Sequence, residues 1–219
     1  MTNETLTGLL ESISRGTVKD FQHGKVVVPS AFVKEPIPGA VWLGVLGILG
    51  DEHAYKHHGG PDLAVCVYSK EYYPWWQEKV PAILPPAAAF GENFTVSGLL
   101  DDAVCLGDQF EVGGAIIKVT QPRLPCFKIA RRHGVPLAAV WMQRESITGY
   151  LCSVVQEGYV QAGQVINLIE REATPTTVRN ANRILYLDKD DKQGAKRLLE
   201  FQGLPADIRK KLLRRLEKD

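Results

Sequence analysis

The sequence predicts a mainly β fold with some α-helix: a closed or nearly closed β-barrel, followed by a small domain of three helices. Many short apolar stretches in residues 1–172 are separated by turn-forming residues, with few helical segments between them. After Glu172 the apolar residues recur at the helical period instead. The formal charge also changes there, from −4 over residues 1–172 to +5 over residues 173–219. We therefore predict a domain boundary at this position.

The composition is that of a globular protein. Of the 219 residues, 45% are hydrophobic and 23% are charged, and the formal net charge of +1 gives no reason to expect a nucleic-acid partner. The polar, acidic start is unlike a signal peptide. The most apolar stretch, 41–50, is far shorter than the roughly 20 residues that span a bilayer. We expect a cytoplasmic protein that makes no membrane contact.

The chain has four cysteines, and none forms a Cys-x-x-Cys pair: Cys66, Cys105, Cys126 and Cys152. This spacing argues against a zinc ribbon, a thioredoxin-type motif and a self-contained iron–sulfur cluster. A zinc site could combine Cys126 with His133 and either His57 or His58, but that spacing matches no standard zinc motif. Free thiols in a reducing compartment are therefore expected.

The first half of the chain predicts short strands with one helix among them. The strand-forming stretches are 6–14, 25–28, 41–49, 63–68 and 94–96. In the third of these, Gly44 and Gly47 alternate with bulky residues, which suits a strand that another backbone or a ligand approaches closely. Ser69 is a suitable N-cap for the one helix, which is rich in aromatic residues and covers 71–80.

The next part of the chain predicts two hairpins and two helices. Gly113-Gly114 lies between two strand-forming stretches and is a hairpin signal. The paired stretches are 109–112 and 115–120 for the first hairpin, and 148–156 and 164–170 for the second. The helical segments are 129–133 and 137–145.

Residues 173–219 predict three amphipathic helices, separated by polar or glycine-containing breaks at 188–191 and 203–205. Their apolar faces are formed by Val178, Ala181, Ile184 and Leu185, by Ala195, Leu198 and Leu199, and by Ile208, Leu212 and Leu216. We interpret the basic excess of this segment as a solvated face, with nucleic-acid binding as the less supported alternative.

Cys126 lies where a predicted strand turns into a predicted helix. Pro122 and Pro125 flank Arg123 and stiffen this turn by fixing φ. A thiol at the start of a helix, close to Arg123 and Lys128, has its anion favoured. A thiolate is a nucleophile or a ligand for a soft metal. The alternative is that Cys126 packs as a small buried hydrophobe.

Two adjacent histidines precede a pair of glycines in the polar loop 51–62. In an extended loop His57 and His58 point to opposite sides, so at most one of them faces a given site. Gly59-Gly60 lets backbone N–H groups approach an anion closely, and Lys56 adds positive charge. The alternative is an ordinary surface loop.

The segment Phe90-Gly91-Glu92-Asn93 places a carboxylate and an amide at the start of a predicted strand. Alone it is a weak signal, because Gly-Glu-Asn is also ordinary turn chemistry. The sequence shows no Ser/His/Asp order, no Walker lysine and no GxGxxG fingerprint. These absences argue against a hydrolase of the triad type and against a nucleotide-binding loop.

Taken together, these motifs resemble the MOSC domain family and, within it, the YiiM-like group. The resemblance covers residues 43–170 and depends on several motifs in the same order. They are His58-Gly59-Gly60-Pro61-Asp62, Phe90-Gly91-Glu92-Asn93, Gly107-Asp108, Gln121-Pro122-Arg123 with Pro125-Cys126, and the turn at 158–163 followed by Gln164-Val-Ile-Asn-Leu-Ile-Glu-Arg. The helical tail resembles the three-helix extension of that group.

The resemblance implies a β-barrel built around the motif cysteine, and binding of the molybdenum cofactor (molybdopterin) or handling of sulfur for it. It implies that Cys126 is the protein ligand to molybdenum. The residues expected to hold the pterin and phosphate of the cofactor are Arg123, Gly59, Gly60, Asn93 and Lys128. His58 and Glu92 are expected to position the substrate or to transfer protons.

The YiiM-like group is associated with the reduction of N-hydroxylated compounds, especially purine bases, to amines. The resemblance therefore implies an oxidoreductase for a small-molecule substrate. The chain has no flavin or nicotinamide fingerprint, so the electrons are expected to come from a separate reductase. The main alternative is a sulfur carrier with a persulfide on Cys126. Further alternatives are a cofactor-storage module and a structural or interaction protein, and a homodimer is one option for its assembly.

Overall fold

The computed structural model describes residues 6–23, 25–55 and 58–217. Within these ranges the strands are β1 (Thr7–Arg15), β2 (Lys19–His23), β3 (Val26–Ser30), β4 (Glu35–Pro36), β5 (Val41–Gly44), β6 (Gly47–Ile48), β7 (Val65–Ser69), β8 (Phe94–Ser97), β9 (Gln109–Val112), β10 (Ala115–Pro122), β11 (Tyr150–Gln156), β12 (Gly158–Val160) and β13 (Val165–Glu170). The helices are α1 (Tyr73–Gln77), α2 (Phe127–His133), α3 (Ala138–Arg144), α4 (Val178–Asn182), α5 (Lys192–Glu200) and α6 (Ala206–Leu216). No helix in these ranges is long and apolar enough to cross a lipid bilayer.

Seven strands close into a β-barrel. Their order is β13-β9-β10-β11-β7-β8-β1, and β1 pairs back with β13. Neighbours are antiparallel except for β7 and β8, which are parallel. Because side chains alternate along a strand, β10 turns Ala115, Ile117 and Val119 into the core. The predicted fold class, a mainly β barrel with α-helices, is confirmed.

The stretch 41–49 forms a hairpin of β5 and β6 instead of the single strand predicted. Gly47 starts β6 with a φ of 110°, a conformation that a residue with a Cβ rarely adopts. A Cβ on Gly47 would lie 2.5 Å from the carbonyl oxygen of Ala64. The close approach of another backbone, which the glycines predicted, is therefore present.

The predicted second hairpin is wrong. Residues 148–156 and 164–170 do not pair with each other, because β11 lies between β10 and β7, whereas β13 lies between β9 and β1. The short strand β12 falls between them in sequence and pairs with β5. Local turn signals locate strands but do not identify partners in a closed sheet, because closure brings distant strands together.

The aromatic helix predicted at 71–80 is shorter than expected. A 3-10 turn at Lys70–Tyr72 leads into the five-residue α1. Ser69 does not cap this helix through its side chain, since its hydroxyl donates to the carbonyl oxygen of Leu99 at 2.6 Å. Ser69 therefore occupies the predicted N-cap position of the 3-10 turn, but its buried hydroxyl bonds across the fold and does not cap the turn.

The three C-terminal helices pack on the barrel through one continuous apolar core. α4 continues as a π-helical turn at Arg183–Leu187, and α5 and α6 follow. Val178, Leu198 and Leu212, one from each predicted apolar face, are buried in the same cluster as Leu106 of the barrel domain. The three amphipathic helices are therefore confirmed. Because the barrel and the helices share this core, they support each other's position.

Two neighbouring leucines of α6 test this shared core. Leu212 is 0% exposed and Leu213 is 47% exposed. We expect Leu212→Ala to lower the free energy of unfolding by about 2–5 kcal/mol, because it leaves a cavity at the junction, and Leu213→Ala to change it by less than about 1 kcal/mol. Denaturant unfolding followed by circular dichroism measures both variants. Equal effects would contradict the shared core.

Candidate functional site

The corner between β10 and α2 carries the cysteine singled out from the sequence. β10 ends at Pro122, and Cys126 is the residue immediately before α2, with an extended backbone (φ −109°, ψ 164°). The N–H of Arg123 donates to the carbonyl oxygen of Gly149 at 3.0 Å, which ties the turn to the segment before β11. Cys126 is half-buried and lines a cavity.

This cavity has a volume of about 660 Å³, which is typical of small-molecule sites. Its walls come from residues 52–55 and 58–63, the turn at 91–93, the Cys126 corner and the C-terminal helices. Most of the residues expected to bind a cofactor or substrate lie together here: Cys126, Arg123, Lys128, Asn93, His58, Gly59 and Gly60. The folded barrel thus brings together three segments that are far apart in sequence.

Arg123 and Lys128 give the cavity a buried cationic wall. They are only 8% and 7% exposed, and neither forms a salt bridge with a carboxylate in the described part of the chain. Arg123 Nη2 donates to the carbonyl oxygen of Phe90, whereas Nη1 is buried without a hydrogen-bond partner among the described residues. An unpaired buried donor is costly, so Nη1 indicates a missing acceptor, and an anionic group fits that role best.

Electrostatics around Arg123 favour its charged form. Burial lowers the pKa of its guanidinium, but the nearby Cys66 and Cys126 thiols and the Glu92 carboxyl raise it, and the net shift of the pKa is upward. The same interaction acts on the thiol in return: burial raises the pKa of Cys66, and Arg123 opposes that rise. Arg123 therefore remains a cation beside two thiols in one cavity.

Asn93 lines the cavity, but its amide already holds the surrounding backbone. Nδ2 donates to Asp51 Oδ2 at 2.8 Å and to the carbonyl oxygen of Ser14 at 3.3 Å, while Oδ1 accepts from the N–H of Cys66 at 3.1 Å. Asp51 also accepts from Lys34 Nζ, in a pair with both side chains buried. These bonds use both the oxygen and the nitrogen of the amide. Asn93 therefore holds Asp51 and the backbone of Ser14 and Cys66 in place around the cavity.

His58, Gly59 and Gly60 all line the cavity, as the sequence motif predicts for a ligand-binding loop. The ring of His58 packs edge-on against Tyr55, with 5.3 Å between ring centroids. Gly59 lies against the ring of His53, so a Cβ there would be 3.0 Å from that ring. A larger residue at this position would require the ring of His53 to move. Two further residues considered for this loop, Lys56 and His57, lie outside the described residues.

Two candidate residues do not line the cavity. Glu92 is 0% exposed and accepts hydrogen bonds from the hydroxyl of Tyr73 and from the N–H of Phe90 at 3.0 Å. This position fits support of the turn better than the proton transfer expected from the sequence. His133 Nε2 bonds to the carbonyl oxygen of Ala89 at 2.8 Å, and burial lowers its pKa.

The zinc alternative has no support in the described part of the chain, since His133 points to Ala89 and no group of three or more His, Cys, Asp or Glu side chains there could hold a metal ion. Thiols beside a cationic wall suit a metal that arrives within its own organic cofactor better than a bare ion. The donor set of the cavity therefore fits the group that the sequence motifs imply.

The cavity residues that reasoning from the sequence missed include Cys66, Tyr186 and Asp207. Cys66 lies on β7 between the core residues Val65 and Val67, so strand alternation could have placed it on the outer face of the barrel. No local pattern marks the other two, because they reach the cavity only when the helical domain packs on the barrel.

The four thiols should differ in reactivity. Cys126 lines the open cavity, burial raises the pKa of Cys66, and Cys105 and Cys152 are only 3% and 0% exposed. We expect iodoacetamide to alkylate Cys126 first, Cys66 more slowly and the two buried thiols only after unfolding, because the thiolate must be accessible. Peptide mass spectrometry over a time course measures this order. Labelling of Cys105 or Cys152 before Cys126 would contradict the geometry.

Comparison with known proteins shows the family to which the chain belongs. A family model described as "MOSC domain" matches residues 54–167, and one described as "YiiM-like, 3-alpha helix domain" matches residues 177–219. The chain is 35% identical over 208 residues to the uncharacterized protein YflK of Bacillus subtilis (strain 168), with 94% of each protein covered. It is 38% identical over 192 residues to protein YiiM of Escherichia coli (strain K12), which covers 86% of this chain and 84% of that protein.

A third relative, named "Reductase", comes from Gibberella moniliformis and is 33% identical over 181 residues, which is 81% of this chain and 32% of that protein. Among solved structures, YiiM from Geobacillus stearothermophilus has a TM-score of 0.81 at 31% identity, with 95% of this chain and 99% of that chain covered. YiiM from Escherichia coli has a TM-score of 0.75 at 29% identity, with 97% and 92% covered. The chain therefore belongs to the MOSC domain family, in the YiiM-like group that carries a three-helix domain.

Proposed function

We propose that this protein is a molybdenum-cofactor-dependent reductase that converts N-hydroxylated compounds, such as N-hydroxylated purine bases, to amines. The observation that carries the proposal is the arrangement around Arg123. Its buried, unpartnered Nη1 belongs to a residue that lines the same cavity as the half-buried Cys126 and the cation Lys128. A soft thiolate next to anion-binding donors matches a metal that is carried by a phosphorylated organic group.

The residues of the cavity divide into three roles under this proposal. Cys126 supplies the thiolate ligand to molybdenum. Arg123 and Lys128 bind the phosphate, and the backbone N–H groups near Gly59 and Gly60 add neutral donors. When bound, the cofactor supplies a centre that accepts and donates two electrons. The cavity volume of about 660 Å³ provides the room that such a group and a small substrate require.

The reaction consumes two electrons and two protons for each N–O bond broken. R–NH–OH, two electrons and two protons give R–NH₂ and one molecule of water. Under this proposal His58, which lines the cavity, delivers a proton to the departing oxygen, because an imidazole is a common general acid. Asn93 and Glu92 act through the backbone they hold, so their contribution is to position the cavity wall.

The electrons come from a separate reductase, and the protein works in the cytoplasm. The relative from Gibberella moniliformis that is named a reductase supports a separate electron donor. The region similar to this chain makes up only 32% of its length, so most of that protein is a part that this chain does not contain. The substrate is a small molecule. A homodimer remains one option for the assembly.

Sulfur transfer is the second candidate function, and Cys66 is the observation that favours it. A persulfide on Cys126 could pass its outer sulfur to an acceptor thiol, and Cys66 lines the same cavity. Both thiols also interact with the charge of Arg123. Under this alternative the labile sulfur, and not molybdenum, would be the group retained by Cys126.

Metal analysis separates the two functions. We expect wild-type protein, made in a host that supplies the cofactor, to carry about one molybdenum per chain and Cys126→Ser to lose most of it, because the metal loses its only protein ligand. Cys105→Ser is the matched control, since Cys105 does not line the cavity. The same samples, reduced with dithionite, should show turnover of N6-hydroxyadenine to adenine that depends on Cys126.

Equal molybdenum in the wild type and in Cys126→Ser would contradict the assignment of Cys126 as ligand. Cyanolysable sulfur on Cys126 in protein without molybdenum would instead establish the sulfur-carrier alternative.

A further inference from the structure

The three-helix domain contributes a wall to the cavity. Four lining residues come from this domain: Tyr186, Pro205, Asp207 and Ile208. The Cys126 corner and residues 52–55 and 58–63, which also line the cavity, belong to the barrel domain. Pro205 and Ile208 are buried and bring apolar surface, whereas Tyr186 and Asp207 bring a phenol ring and a carboxylate. This wall therefore differs in chemistry from the cationic wall formed by Arg123.

The ring of Tyr186 is held in place before any ligand binds. Tyr186 lies in the π-helical turn after α4, and Arg215 of α6 donates to the carbonyl oxygens of Ile184 and Leu185 at 2.7 and 3.1 Å. The ammonium of Lys211 lies 4.6 Å from the centroid of the Tyr186 ring, which covers part of the ring with a cation. A ring fixed in this way offers stacking surface at little entropic cost.

Asp207 lies in the first turn of α6, where it is exposed and lines the cavity. Its charge acts on Tyr186, whose pKa is raised to about 12, first by burial and then by Asp207. The phenol therefore stays neutral. The other two carboxylates in the lining are Glu52, which already accepts from the N–H of Val18 at 2.6 Å, and Asp62, which lies in the barrel domain next to Pro61. Asp62 and Asp207 both lack a side-chain hydrogen bond within the described residues, and Asp207 is the one that lies in the same domain as Tyr186.

We propose that Tyr186 and Asp207 form the recognition site for the substrate's ring, and that they select a base whose ring N–H is unsubstituted. Tyr186 stacks on the flat ring, and Asp207 accepts the ring N–H. The hydroxylated nitrogen then points away from the helical domain, towards Cys126. This proposal rests on the proposed reductase function for the identity of the reacting group, and it extends that function by excluding bases that carry a sugar at the ring nitrogen.

Binding of adenine and 9-methyladenine tests the proposal without turnover. The two ligands differ in the ring N–H, which the methyl group replaces. We expect wild-type holoenzyme to bind adenine more tightly by about 10-fold, because the methylated base leaves the carboxylate without its donor. Asp207→Asn should weaken adenine binding about 10-fold and leave 9-methyladenine within about 2-fold. Isothermal titration calorimetry gives the dissociation constants.

Three further variants complete the test. Tyr186→Leu should weaken both ligands about 10-fold, while Tyr186→Phe, which keeps the ring, should stay within about 2-fold of wild type. Asp190→Asn, which removes an exposed carboxylate of the same domain outside the cavity lining, should behave as wild type. Molybdenum content and thermal unfolding of each variant show that the cofactor and fold are retained.

Two outcomes would overturn the proposal: no preference for adenine in the wild type, or an unchanged preference in Asp207→Asn. Failure of the reductase function looks different. In that case the wild type would show the binding preference but would not convert N6-hydroxyadenine to adenine, and the recognition site would stand. If the wild type turns over N6-hydroxyadenine and neither Asp207→Asn nor Tyr186→Leu changes adenine binding, the reductase function stands and the recognition site alone is rejected.

Discussion

The buried guanidinium of Arg123 joins the two segments on which the candidate site depends. Its Nη2 donates to the carbonyl oxygen of Phe90, so the corner that carries Cys126 is fixed to the turn that leads into β8. Asn93, at the other end of that turn, continues the connection to Asp51 and to the backbone of Cys66. One chain of hydrogen bonds therefore sets the distance between the cysteine corner, the strand β7 and the loop that follows β6.

The burial of Arg123 also destabilises the ligand-free cavity, and a bound anion would offset that unfavourable free energy. A guanidinium with five N–H donors in a buried position needs acceptors, and the described protein supplies one carbonyl and leaves Nη1 unpaired. Lys128 adds a second buried cation. An anionic cofactor group would satisfy both, so binding energy and structural support come from the same residues. The helical domain adds a wall with an aromatic ring and a carboxylate, which we propose bind the substrate.

The sequence allowed the barrel class and the three helices to be predicted, and seven of the residues proposed from it for the site line one cavity. Cys126, Arg123 and the His58 loop could be singled out because each lies in a compact local motif, and all of them line the cavity. Glu92 was placed wrongly with respect to the cavity, since its side chain turns into the aromatic core towards Tyr73, and spacing alone does not give that direction. The pairing of β11 and the contribution of Tyr186 depend on long-range packing, which local periodicity does not encode.

The proposed function depends on a bond between the sulfur of Cys126 and molybdenum. Replacement of Cys126 by selenocysteine allows the bond to be observed from the protein side, by X-ray absorption at the selenium edge of cofactor-loaded protein. The account predicts a heavy molybdenum neighbour in the selenium spectrum, which disappears when the cofactor is removed. A spectrum that shows only carbon or sulfur neighbours in fully loaded protein would contradict it.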